Sequence, residues 1–161
     1  MNPLRQYNEY SCGLASVVYE ANRGGKSYTQ EDIVRDFRAH FPIWASCPGM
    51  INPTDILHLL TLLDMKAADF VATKHIEEGR AFLIERDPYA AFVWMRRSRD
   101  DQGGTKSNDH CMVFRRFTED GGVEVMDPAT AGERKITPSE FKLMDATILL
   151  CTEHTQNKGH R

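Results

Sequence analysis

HCMVFRRFTEDGGVEVMDP, from His110 to Pro128, is the stretch whose reading decides the fold. Cys111 to Phe117 and Val123 to Met126 are β-prone, and the polar residues Thr118 to Gly122 separate them, so the stretch predicts an antiparallel hairpin. With a four-residue loop, Thr118 to Gly121, Phe117 falls opposite Gly122, Phe114 opposite Val125 and Met112 opposite Asp127. Side chains alternate along a strand, so His110 and Asp127 then share one face as diagonal neighbours. Such neighbours lie about 7 Å apart at the backbone, within reach of an imidazole and a carboxylate. A five-residue loop turns His110 to the other face unless a bulge restores it.

Upstream of this hairpin the apolar spacing is helical. Leu14, Val17, Val18 and Ala21 line one face of a stretch from Cys12 to about Asn22, which Gly24-Gly25 closes. Thr29 is the N-cap of a second helix, with Asp32 three residues on, and Pro42 stops it after Phe37 and Phe41. Residues 42–52 form a loop rich in large apolar side chains. Pro53-Thr54-Asp55 opens a third helix through Leu63, with Leu57, Leu60 and Leu63 turned inward. A fourth runs from about Lys74 to Arg86.

Ala90 to Met95 then reads as a strand, Ser98 to Asn108 as a polar loop, and Thr147 to Cys151 as a last strand after a short turn near Pro138. Helices first and antiparallel strands second predict an α+β fold, with N-terminal helices packed on one side of a C-terminal twisted antiparallel sheet. Residues 1–152 form one domain, and residues 153–161 a polar tail.

Twenty basic and twenty-three acidic side chains give a net charge of -3, which argues against nucleic acid as the partner. Arg96, Arg97 and Arg99 are the one local basic group and read as a solvated strand end. No apolar run reaches the length of a membrane span, and the opening MNPLRQYNEY lacks the apolar core of a signal peptide. The default expectation is a soluble, cytoplasmic chain. The cysteines are Cys12, Cys47, Cys111 and Cys151, expected as reduced thiols. There is no CxxC pair, and His110 and Cys111 are adjacent, so no zinc spacing is present. No metal and no cofactor is expected.

The chemistry gathers at the start of the first helix. A helix N-terminus carries partial positive charge and unpaired N–H groups, and both stabilise a thiolate at Cys12. Gly13 is expected to keep the space beside the sulfur open. Gln6, six residues upstream, can turn its amide N–H toward the helix start and form a two-donor oxyanion hole with the backbone N–H of Cys12. Taken singly, Cys12 also reads as a small buried hydrophobe and Gln6 as a surface amide. The base should be a histidine on another element. His40 and His58 fall on helices, His75 in a helix first turn, and His154 and His160 in the tail. His110 opens a strand, and Asp127 at the end of the next can fix its tautomer and stabilise the imidazolium. Asp109, adjacent to His110, is the competing carboxylate and is expected to point the other way. Asp127-Pro128 alone also reads as a strand ending at a proline.

Gln6, Cys12-Gly13, Ala15-Ser16, His110 and Asp127-Pro128, taken together, resemble the papain-like cysteine peptidases. Within that superfamily the chain is similar to the bacteriocin-processing peptidase domains of ABC exporters. It departs from them at Ser11, where those domains carry an acidic residue. The resemblance implies Gln6 in the oxyanion hole, Cys12 as nucleophile, His110 as general base and acid, and Asp127 as its orienter. The expected activity is thiol-dependent hydrolysis of a peptide or isopeptide bond in a peptide or protein substrate. An acyl transferase using the same residues, or a catalytically silent peptide-binding domain, are the alternatives. The loops 44–50 and 100–107 are expected to shape the substrate cleft.

Overall fold

The computed structural model describes residues 5–97 and 109–152, without the side chains of 67, 68, 97 and 144–151. The arginines at 97 and 99, the 100–107 loop, the Cys151 thiol and the tail histidines therefore lie outside the described residues. The fold is α+β. Helices α1 (Cys12–Arg23), α2 (Gln30–Phe37) and α3 (Pro53–Leu62) come first, with 3-10 turns at Arg38–His40 and Pro42–Ala45 between the last two. Then follow β1 (Ala67–Thr73), α4 (Ile76–Arg86), β2 (Ala91–Arg97), β3 (His110–Phe117), β4 (Val123–Asp127), β5 (Gly132–Ile136), α5 (Pro138–Leu143) and β6 (Met144–Thr152). The six strands form one antiparallel sheet in the order β1-β6-β2-β3-β4-β5.

The helix starts follow from their caps. Thr29 Oγ1 accepts the Asp32 N–H at 3.1 Å. Asn52 and Asp55 form a reciprocal capping box around Pro53, with Asn52 Oδ1 accepting the Asp55 N–H at 2.8 Å. In α3 the core positions are Ile56, Leu59, Leu60 and Leu63, whereas Leu57 is only half-buried.

Helices cover both faces of the sheet, not one. Residues of α1, α2 and α3 pack on Phe92, Trp94, Cys111 and Val113, while Leu83 of α4 and Phe141 of α5 pack on Val93, Met95, Met112 and Val125. Alternation along β2 and β3 produces this split, since successive residues point to opposite faces. Ala91 to Met95 of β2 and Cys111 to Val113 of β3 are buried on both sides, which explains their continuous apolar runs. Among the described residues, no helix is long and apolar enough to cross a membrane.

The β3–β4 hairpin departs from the expected turn in two places that cancel. Phe117 pairs with Val123, so the loop has five residues, Thr118 to Gly122, closed by Thr118 N–H to the Gly122 carbonyl at 2.9 Å. Gly121 takes a positive φ of 85°, which suits glycine. The register then shifts between Phe114 and Arg116, and Phe114 returns to its expected place opposite Val125. Arg115 is the extra residue of this bulge. Phe114 and Phe117, three apart in sequence, consequently share a face, with ring centroids 5.0 Å apart. The bulge restores His110 to the face of Asp127.

Gly13 does not hold space open beside the sulfur. A Cβ there would lie 2.9 Å from Ile51 Cγ1 and 3.5 Å from Ile56 Cδ1, so glycine lets α1 close onto these two side chains. Overpacking a core site costs about 1–3 kcal/mol, of which better helix propensity returns up to about 1. Gly13→Ala should therefore lower the unfolding free energy by on the order of 1 kcal/mol, measured by urea denaturation. A stabilised variant would show that Ile51 yields freely.

Candidate active site

Cys12 begins α1, and the chain before it is folded to leave the helix end uncompensated. Ser11 is fully buried, and its hydroxyl bonds Asn8 rather than the first-turn N–H groups. The first turn carries no acidic residue. The positive end of the helix is therefore left for whatever charge develops at Cys12. Asn8 also donates to the Pro48 carbonyl at 2.8 Å, which ties the segment before Cys12 to the apolar loop at 42–52. That loop is braced in turn: Trp44 is buried, stacks on Phe41 and donates its indole N–H to the Met50 carbonyl at 2.9 Å.

The hairpin brings the second and third residues to Cys12. His110 Nε2 lies 2.5 Å from Asp127 Oδ1, and the Cys12 thiol is the imidazole's other near neighbour, favouring its charged form. With Nε2 on the carboxylate, Nδ1 is the nitrogen left for sulfur. Burial of the imidazole favours its neutral form, but Asp127 and Cys12 outweigh this and raise its pKa from 6.5 to about 9. Asp127 is 3% exposed. Burial pushes its carboxyl up, yet the His110 bond, the Ala129 N–H at 2.9 Å and the Arg134 charge hold it below the usual carboxylate range. The arrangement can sustain an imidazolium beside a sulfur at neutral pH.

Asp109 does not compete for His110. Its Oδ1 lies 3.4 Å from Arg96 Nε instead. Gln6 sits beside the Asp127-Pro128 turn, donating its backbone N–H to the Pro128 carbonyl at 3.0 Å. Its side-chain amide donates to the Asn8 carbonyl at 2.8 Å, and its Oε1 is buried without a partner. Gln6 is not among the residues lining the cleft described next. Cys111 is fully buried, and burial together with the Cys12 charge pushes its thiol well up. Cys47 is half-buried, and Cys12, Cys47 and Cys111 are free thiols. His40 stacks edge-on against His58 with centroids 5.5 Å apart, on the outside of the helical layer.

Cys12 and His110 line a cleft of about 760 Å³. Its helical wall carries Glu9, Tyr10, Ile43, Met50, Ile51, Asn52 and Asp55. Its strand wall carries Trp94, Met95, Asp109, Met112, Asp127, Ala129 and Arg134. The 42–52 loop thus supplies apolar surface to the cleft, with Ile43 and Met50 each more than two-fifths exposed. Sequence reading missed Arg134, whose strand GERKI is too charged to read as β structure. It also missed the polar pair Asn52 and Asp55, whose capping pattern was visible but whose position on the cleft was not. Among the described residues, no group of three or more His, Cys, Asp or Glu side chains could hold a metal ion. In comparisons with known proteins, the chain matches no family model and no curated sequence.

A raised His110 pKa has a thermodynamic sign. The charged imidazole contributes its full stability below pH 6.5, the unfolded value, and loses it as pH rises through about 9. Relative to His110→Gln, the wild type should lose about 3 kcal/mol of unfolding free energy across that window. Urea titrations at pH 6 and pH 9.5 measure it. A difference that stays flat would remove the imidazolium from the site.

Proposed function

We propose that this chain is a papain-like cysteine hydrolase that cleaves a peptide or isopeptide bond through an acyl-enzyme on Cys12. One observation carries the reading: His110 is held between the Asp127 carboxylate and the Cys12 thiol on the wall of an open cleft. A nucleophile, its base and the orienter of that base are the parts covalent acyl transfer needs.

The reaction then runs as follows. The thiolate attacks the substrate carbonyl carbon, a C–S bond forms, and the carbonyl oxygen takes the negative charge. The His110 imidazolium gives its proton to the departing nitrogen, the C–N bond breaks, and a thioester remains on Cys12. The free N–H groups of the first turn of α1 stabilise the oxyanion. Gln6 is assigned as the second donor, for which its Nε2 must exchange the Asn8 carbonyl for the oxyanion. Its backbone bond to Pro128 keeps it next to the end of β4 while it does so.

A peptide-library cleavage profile, with Cys12→Ala as control, tests the reading. The variant should lose all turnover, and retained cleavage would sink the proposal. Independently, iodoacetamide at pH 6 should label Cys12 ahead of Cys47 and Cys111 by mass spectrometry, because only Cys12 faces an imidazolium.

Gln6→Ala should lower kcat by about 100-fold or more with little change in KM, as loss of one oxyanion donor does. An unchanged kcat would leave the role to the backbone alone.

A further inference from the structure

We propose that Arg134 is a positioning residue of this site: it keeps the Asp127 carboxylate charged and paired throughout the cycle, which allows His110 to release its proton and act as a base. Its catalytic consequence rests on the hydrolase reading above.

The placement follows from the sheet. Arg134 stands opposite Val125 in the β4–β5 ladder, and Asp127 lies two residues further along β4 on the same face. The guanidinium crosses this diagonal, with Nη1 3.5 Å from Asp127 Oδ2. Its other arm, Nη2, lies 3.8 Å from Glu140 Oε2 on α5. The two carboxylate oxygens are thus divided. Oδ1 accepts from His110 and from the Ala129 N–H, and Oδ2 faces Arg134.

The two cations on Asp127 differ in one respect that matters. His110 changes charge during turnover, whereas an arginine remains protonated. Once His110 has given its proton to the leaving amine, the buried Asp127 has lost its imidazolium. A buried carboxylate beside a neutral imidazole draws a proton back to the pair. That would stall deacylation, in which a water oxygen bonds to the thioester carbon and its proton passes to His110. The C–S bond then breaks, its electron pair returns to sulfur, and the acid leaves with the thiolate–imidazolium pair restored. Arg134 offsets the Asp127 charge at the stage when His110 cannot.

The charged groups around the pair are consistent with this role. Cys12 faces His110 from α1, Glu140 stands behind Arg134 from α5, and Asp109 is paired with Arg96. Glu9 and Asp55 lie on the far wall. Among the described residues, Arg134 is the arginine that pairs with the Asp127 carboxylate.

The test is the titration of the His110 ring by NMR in the full chain. Removing the nearby cation in Arg134→Met should raise the midpoint by about 0.5–1 pH unit, and Arg134→Lys should return it most of the way. Glu140→Gln should move it by a few tenths in the opposite direction, because it frees Arg134 for Asp127. This variant decides the matter if Arg134→Met does not fold. In turnover, Arg134→Met should accumulate acyl-enzyme, with deacylation slowed roughly 10-fold and acylation changed less. A midpoint that stays put or falls in Arg134→Met overturns the proposal, as does one that lysine fails to restore. If no substrate is turned over by the wild type, the hydrolase reading fails. The titration still decides whether Arg134 governs the pair.

Discussion

Burying the carboxylate of Asp127 is the constraint around which this structure is arranged. Removing a carboxylate from water costs several kcal/mol unless partners replace the lost hydration. At 3% exposure, Asp127 obtains these partners from three separate places: His110 on β3, the Ala129 N–H in the turn after β4, and Arg134 on β5. No single element could supply them. The turn itself is fixed by the same residue, whose carbonyl accepts the Ala131 N–H at 2.8 Å. A carboxylate that needs three strands and a turn in register ties the local geometry of the site to the correctness of the sheet.

The same constraint explains why the hairpin tolerates two irregularities. A five-residue loop alone would turn the face of Cys111 and Val113, and not that of His110, toward Asp127. A bulge alone would do the same. Together they return the strand to register at Phe114, where Val125 sits opposite, and the face of β3 that carries His110 and Met112 meets the face of β4 that carries Val125 and Asp127. An unpaired buried carboxylate would penalise either irregularity without the other.

Much of this was legible in the sequence, for identifiable reasons. The helix starts at Cys12, Thr29 and Asn52 carry strong local signals in cap residues and apolar spacing. The pairing of His110 with Asp127 was legible from alternation, with the condition that loop length and bulge agree. Apart from the short helix α5, which reads as a turn near Pro138, what escaped detection lies at the sheet edges. β1 is rich in alanine, and β5 reads GERKI with only Ile136 fully buried. Edge strands carry charge because one side of their ladder meets solvent, so they lack the apolar alternation that reveals central strands. Missing β5 also hid Arg134. The role expected of Gly13 failed for a related reason: the side chain that fills the space, Ile51, comes from a loop whose path no local pattern dictates.

The site also joins two cores that are otherwise separated by the sheet. Cys12 belongs to the layer of α1, α2 and α3, while Met112 and Val125, on the strand faces shared by His110 and Asp127, belong to the layer of α4 and α5. The thiol and the imidazole therefore meet only at the end of β3, where the two layers come together. Neither half can assemble the pair alone, since α1 carries the sulfur and the positive helix end, and the hairpin carries the imidazole and its counter-charge. The packing of Ile51 against Gly13 is therefore as much a part of the site as the residues that touch the sulfur.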